Sequence, residues 1–195
     1  MEKLLWILVY LFLQFLYLPL NRRPVKYYWK LALDDRLPLL PGMIIVYFSY
    51  YLMFFIGSLV LVFSKQFWSF ITAMIIVQAL GDLFWWLFPN GVKRPEVKGK
   101  NIMSRWLKQL YRLDQYDGNA APSAHVFHAL IIGHFLARLW PQWSLLIYIW
   151  VGLIMASTVL IKQHYVLDVL GGKTNVSISF ILKIKLDRIY FHYFI

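Results

Sequence analysis

The chain has 195 residues, of which 61% are apolar, with 9 Trp, 13 Tyr, 15 Phe, no Cys and a formal charge of +11. Soluble domains hold roughly 45–50% apolar residues, so this chain would expose more hydrophobic surface than water tolerates, and lipid is its natural solvent. The lack of Cys removes disulfides, thiolate metal sites and cysteine nucleophiles; the positive charge fits anionic headgroups, and no zinc finger or soluble basic face points to nucleic acid.

A helix needs about 20 apolar residues to cross the hydrocarbon core. Residues 4–20 are the first candidate. They have the look of a secretion signal, but no small-residue cleavage site follows, and Arg22, Arg23 and Pro24 end the stretch. Residues 22–41 are mixed and polar, include Asp34, Asp35 and Arg36, and read as a segment lying along the interface. A second span is expected over 43–63, a tight turn at 64–66, and a third span over 67–88 that closes on Trp85 and Trp86, side chains suited to the headgroup zone. The longest polar stretch runs over 90–121 with seven Lys and Arg, and within it residues 102–113 read as an amphipathic helix on the membrane surface. A fourth span follows over 123–140, a fifth over 143–161 and a sixth from 164 onward. The sixth is interrupted by Gly171, Gly172, Lys173 and Asn175 and later carries Lys183, Lys185, Asp187 and Arg188. Charges at the centre of a spanning helix cost about 2.5–3.5 kcal/mol each, so this helix is either short or leaves the membrane early. The expected architecture is a single all-α domain over 1–195, a six-helix transmembrane bundle with one interfacial amphipathic segment.

Three polar clusters sit at the ends of these spans. Lys93, Arg94 and Pro95 follow the third; Pro122, Ser123, Ala124 and His125 open the fourth; Ser157, Thr158, His164 and Asp168 bridge the fifth and sixth. Because spans alternate in direction, all three clusters fall on one membrane face. His164 and Asp168 are spaced i, i+4, as neighbours on one helix face. A carboxylate bonded to one ring nitrogen fixes the tautomer and raises the basicity of the other, which equips an imidazole for attack on phosphorus. His125, one turn into a helix, is placed to protonate a leaving oxygen and later to activate water. Ser123 reads as an N-cap, and the free N–H groups of that helix start favour an anion. Arg94 offers a planar, permanently charged fork for phosphate oxygens.

These residues resemble the type 2 phosphatidic acid phosphatase superfamily, integral-membrane lipid phosphatases and related phosphotransferases. Its pattern is a lysine seven residues before Arg-Pro, then Pro-Ser-x-His, then Ser-Arg-x5-His-x3-Asp. Here Arg94-Pro95, Pro122-Ser123-Ala124-His125 and Ser157-Thr158-x5-His164-x3-Asp168 follow it in order over about 67–172. The resemblance implies a metal-independent mechanism without cofactor on a lipid phosphate, such as phosphatidic acid, phosphatidylglycerol phosphate or a polyprenyl diphosphate. It implies a phosphohistidine on His164, His125 as acid and base, Asp168 as partner of His164, and phosphate held by Arg94, Ser123 and Ala124. Two positions depart from the pattern: Leu87 stands where the lysine is expected and Thr158 where the arginine is. Thr158 can still donate a hydrogen bond, and Lys162 and Lys93 can restore part of the charge. These departures make a transferase of the sphingolipid-synthase kind, or a non-catalytic lipid-binding or transport relative, the alternatives to a phosphatase.

Other polar residues read as structural. Lys93, Lys98 and Lys100 read as headgroup anchors, and Lys162 reads equally as a snorkelling cation or a phosphate contact. His128 and His134 are expected to pack or to bond between helices, Asp82 to pair inside the bundle, and Asp114, Asp117 and Asn119 to shape the turn before Pro122. The three loops on the clustered face hold 13 of the 20 Lys and Arg, which by the positive-inside rule would make that face cytoplasmic. A phosphate pocket is basic on either side, however, and the resemblance implies a cell-membrane protein with its site on the extracytoplasmic face.

Overall fold

A computed structural model of the protein describes the backbone of residues 2–194 and the side chains of residues 2–185; the charges read at Asp187 and Arg188 lie outside the described side chains. Among the described residues there are eight helices and no strand. They are α1 (Glu2–Asn21), α2 (Ala32–Arg36), α3 (Pro41–Val62), α4 (Phe67–Leu87), α5 (Ile102–Leu113), α6 (Ala124–Leu139), α7 (Pro141–Leu160) and α8 (Val166–Phe194). Four of them, α1, α3, α4 and α7, are long and apolar enough to cross a membrane. The apolar helix α6 is shorter, at 16 residues, or about 24 Å. The last helix is continuous from Val166 despite its two glycines and its lysines.

Each span boundary follows from local chemistry. Pro41 and Pro141 occupy first-turn positions, where the missing N–H costs nothing. The turn between α3 and α4 is held by the Ser64 hydroxyl, which donates to Leu61 O at 2.9 Å and accepts from Gln66 N at 3.1 Å. Within α3, Met53–Gly57 form a π turn, so this helix is not one uninterrupted α-helix. The amphipathic helix α5 starts at Asn101, whose side chain accepts from Ser104 N at 2.8 Å, and it lays Leu107 and Leu110 against Ile44, Tyr47 and Ile161.

α6 is the central helix, touching α3, α4, α7 and α8. Its Phe127, Ile131, Ile132 and Phe135 form one core with Phe70, Met74 and Trp85 of α4 and Ile154 of α7. α8 crosses close to the start of α6. A Cβ on Gly172 would sit 2.9 Å from Val126 Cβ and 3.0 Å from Ser123 O, so a small residue there is what lets the two helices meet.

The segment between α4 and α6, which carries α5, is tied together at its two ends by hydrogen bonds within the protein. Asn90 acts as a clasp: its side-chain oxygen accepts from Ala121 N at 2.6 Å, and its amide donates to Ala121 O and Phe88 O, both at 2.8 Å. Val92 N donates to Asp117 O at 3.1 Å, and Gly91 N to Tyr27 O at 3.0 Å. Gly91 has no room for a side chain, since its Cβ would lie 2.1 Å from Asp117 O. Replacing Gly91 by Ala should therefore force these segments apart at about 1–3 kcal/mol, lowering the apparent melting midpoint in detergent. Gly152→Ala, whose Cβ meets nothing within 4 Å, should leave the midpoint unchanged or raise it, and equal midpoints for the two variants would refute the packing argument.

Candidate active site

The three polar clusters do come together at one end of the bundle. His125 Nδ1 lies 3.3 Å from His164 Nε2, and Asp168 Oδ2 lies 3.6 Å from Nδ1 on the other edge of the His164 ring. His164 is 7% exposed and Asp168 1%, while His125 is half-buried. The far nitrogen of His125, Nε2, sits 2.7 Å from the Tyr47 hydroxyl. The result is a row of four groups, Tyr47, His125, His164 and Asp168, supplied by α3, α6, the loop before α8, and α8 itself.

The i, i+4 spacing of His164 and Asp168 works differently from the expected pair on one helix face. α8 begins only at Val166, so His164 stands in the preceding loop. Asp168 is the third residue of the helix, and its Oδ2 accepts from Tyr165 N at 2.7 Å, half of a capping box. That bond holds the carboxylate to the helix start and leaves His164 Nδ1 without a hydrogen bond of its own, at ion-pair rather than hydrogen-bond distance. The main chain of Asp168 is used as well: its carbonyl accepts from Ser123 N at 3.0 Å, tying α8 to the start of α6.

The loop carrying His164 is held from two sides. Gln163 N and His164 N both donate to Thr158 O, at 2.9 and 3.1 Å. On the other side lies Asp34, buried at 4% exposure. Its Oδ2 accepts from Leu31 N at 2.7 Å, capping its own helix α2, and its Oδ1 accepts from Val166 N at 2.9 Å, capping α8. Lys162, in the left-handed region with φ 55°, donates to Asp34 O and Leu37 O, both at 2.7 Å. Burial lowers the affinity of the Lys162 ammonium for its proton, with Asp34 and Asp35 acting against that shift.

The expected phosphate-binding residues are therefore placed unevenly. Ser123 occupies the N-cap position of α6, yet its hydroxyl makes no cap bond and is buried without a partner. Ala124, His125 and Val126 precede the first intrahelical bond, from Phe127 N to Ser123 O at 3.0 Å, so their N–H groups open toward the site. Thr158 turns its hydroxyl back to Met155 O at 2.8 Å. Arg94 faces Asp114, whose carboxylate it meets at 2.5 Å and whose carbonyl it also bonds, and lies 3.7 Å from Asp117; its Nε is buried without a partner. Desolvation raises the Asp117 carboxyl while Arg94 opposes the rise. The Lys162 ammonium is spent on the two carbonyls named above. Lys93 rests over the Tyr28 ring at 4.8 Å.

Sequence reasoning missed Tyr47 and Asp34, which lie outside the recognised motifs. Asp34 had a weak signal, a carboxylate three residues after a helix start; Tyr47 had none beyond being one aromatic among many. The buried polar groups of the spans are also resolved. Asp82 Oδ1 accepts from Gln78 Nε2 at 2.9 Å, and Gln78 Oε1 lies 3.1 Å from His128 Nε2. His128 Nδ1 lies 3.0 Å from the Tyr50 hydroxyl, and Gln14 of α1 donates to Gln78 Oε1 at 2.9 Å. His128 thus bonds between helices as expected, while His134 packs against Phe135 and Phe180.

One protein family, described as the PAP2 superfamily, matches the chain over residues 33–182. No curated protein and no solved structure matches it.

Removing the Asp34 carboxylate strands two backbone N–H groups, at a cost of about 1–3 kcal/mol for each. Asp34→Ala should speed hydrogen exchange of residues 161–166 and expose the Lys162 bond to trypsin. Exchange and cleavage at the parent rate would show that the loop is held by something other than Asp34.

Proposed function

The chain belongs to the PAP2 superfamily, and on that premise we propose that it is a six-span membrane enzyme that removes phosphate from a lipid phosphate through a covalent histidine intermediate. The observation that carries this reading is the row of His125, His164 and Asp168, with 3.3 Å between the two imidazoles and the carboxylate on the outer edge of the second. Two imidazoles in mutual reach, one beside a carboxylate, are suited to divide the work of nucleophile and acid.

In the first step His164 Nε2 forms a bond to phosphorus as the bond to the lipid oxygen breaks, and His125 gives its proton to that oxygen. Asp168 balances the charge that develops on the His164 ring. In the second step His125 takes a proton from water, the water oxygen bonds to phosphorus, and the P–N bond breaks to restore His164. Tyr47 occupies His125 Nε2 and leaves Nδ1 facing the nucleophile, so it orients the ring. The open N–H groups from Ala124 onward and the unpartnered Ser123 hydroxyl suit phosphate oxygens. Arg94 and Thr158 join them once their present partners are displaced. Lys162 supports the loop and adds its charge from behind. α6 and α8 complete the six crossings, and the active face is extracytoplasmic, both on family resemblance.

The test is phosphate release by detergent-purified protein from phosphatidic acid, phosphatidylglycerol phosphate and a polyprenyl diphosphate, in the presence of chelator. Release should persist with chelator, fall at least about a thousandfold in His164→Ala, and fall about a hundredfold or more in His125→Ala. Brief exposure to labelled substrate should leave an acid-labile label on the parent protein and none on His164→Ala. A His164→Ala variant with parent activity would overturn the mechanism. Release only upon addition of an acceptor alcohol, with the phosphate found on that alcohol, would make the enzyme a transferase.

Tyr47→Phe separates orientation from contact. It should lower kcat by about tenfold, the worth of one hydrogen bond to the acid/base ring, while leaving KM in place. A change in KM alone would move Tyr47 into the substrate pocket.

A further inference from the structure

Every phosphate site has to supply positive charge, and several cations on this face are already engaged. Arg94 is matched to Asp114 and Asp117. Lys162 is bound to two carbonyls, and Arg23 to the carbonyls of Trp85 and Trp86, at 3.4 and 2.6 Å. Lys30 pairs with Asp35, and Leu87 and Thr158 carry no charge. One cation differs. Arg22, at the end of α1, has its guanidinium 5.8 Å from the centre of the Tyr116 ring, and its N–H groups have no acceptor among the described residues.

Arg22 lines a cavity of about 630 Å³ between α1, α3 and the segment after α5, and His125 lines the same cavity. The size falls in the ordinary range for small-molecule sites. The walls near His125 are polar at their tips, with Tyr17, Tyr47, Tyr51 and Asn21, and apolar at Leu18 and Phe48. Asp114 also borders the cavity, but its carboxylate is held by Arg94 at 2.5 Å, so Arg22 is not neutralised by it through any contact in the structure. A flat guanidinium seated on an aromatic face keeps its edge donors free for a bidentate anion.

We propose that this cavity, which His125 lines and His164, Ser123 and Ala124 do not, is the approach through which the lipid headgroup reaches the site, and that Arg22 is the cation that holds the substrate phosphate in it. The inference rests on the phosphatase reading for the identity of the anion. Arg22 grips the phosphate from the α1 side, His125 meets it from the α6 side, and the apolar wall of Leu18 and Phe48 takes the beginning of the lipid chain. A residue at the end of the first span thereby does the work of the cations that are missing at positions 87 and 158.

Binding can be read without turnover by using His164→Ala as the parent in calorimetry, with dioctanoyl phosphatidic acid, dioctanoylglycerol and inorganic phosphate as probes. Adding Arg22→Gln should weaken binding of dioctanoyl phosphatidic acid and inorganic phosphate by about tenfold or more, the loss expected for a charge-assisted contact. Arg22→Lys should recover part of that loss. Dioctanoylglycerol, which lacks the phosphate, should bind equally to both. Arg112→Gln, an exposed cation on α5 away from the cavity lining, should bind all three probes as the parent does.

Binding of phosphatidic acid within twofold of the parent in Arg22→Gln would overturn the proposal. So would equal losses in Arg22→Gln and Arg112→Gln, which would mark a general surface-charge effect, and so would failure of the parent to bind either phosphate-bearing probe. The outcome for the phosphatase reading is separate: phosphate release by the unmodified protein with Arg22 indifferent would sink only the Arg22 assignment. A protein that binds phosphate through Arg22 and releases none from any lipid would sink only the hydrolytic reading.

Discussion

A single buried carboxylate, that of Asp34, caps two helices at once. One oxygen closes the start of α2 and the other closes the start of α8, while the carbonyl of the same residue takes the Lys162 ammonium. Non-helical backbone at the edge of a hydrocarbon layer has to satisfy its polar groups within the protein. The loop of residues 161–165 does so with Asp34 on one side and Thr158 O on the other. The position of His164, and with it the spacing to His125, follows from that double clamp. Asn90 performs the same service for the segment that leads into α6.

Around this frame the site is built from groups that are nearly enclosed and only partly matched. Ser123 Oγ, Arg94 Nε and His164 Nδ1 are buried polar atoms without hydrogen-bond partners. Such atoms are few in native proteins because each costs the free energy of an unmade bond. Three of them fall among the motif residues, and six lie elsewhere among the described residues. Beneath the site the opposite rule holds. His128 has Tyr50 at one ring nitrogen and Gln78, Gln14 and Tyr10 gathered around the other, which fixes the ring one turn below His125.

The sequence made some of this legible and hid the rest for physical reasons. Helix positions could be read because apolar runs of about 20 residues have one use in lipid, and prolines and charged pairs mark their ends. The boundaries of α5 matched the amphipathic reading residue for residue. The convergence of the three motifs followed from alternation of direction alone. What could not be read were bonds between residues distant in the chain. Asp34 with Val166, Tyr47 with His125 and Arg94 with Asp114 depend on how helices rotate against one another, which hydropathy does not encode. Asp82 looked isolated because its partner, Gln78, becomes meaningful only through His128 on another helix. The expected His164–Asp168 bond was displaced by a local competitor, since a helix start offers a carboxylate a backbone N–H nearer than the imidazole.

The π turn in α3 ties the tyrosines of the site to the length of the chain. A π turn accommodates one residue more than the α-helix it interrupts, so the residues before and after Met53–Gly57 obey different phase relations. Tyr47 and Tyr50 stand before it, next to His125 and His128. Gly57 ends it against Ile132 and Leu136 of α6. Tightening those residues to ordinary α-helix with the chain length kept would pass the extra residue on and turn the two halves relative to each other by about 100°. If the distal half kept its seat on α6, both hydroxyls would swing away from the histidines without any change to a motif. In this fold the winding of one turn in the middle of a span is as much a determinant of the surroundings of His125 as the residues that touch it, and a related chain one residue shorter there would keep those surroundings with a plain α-helix.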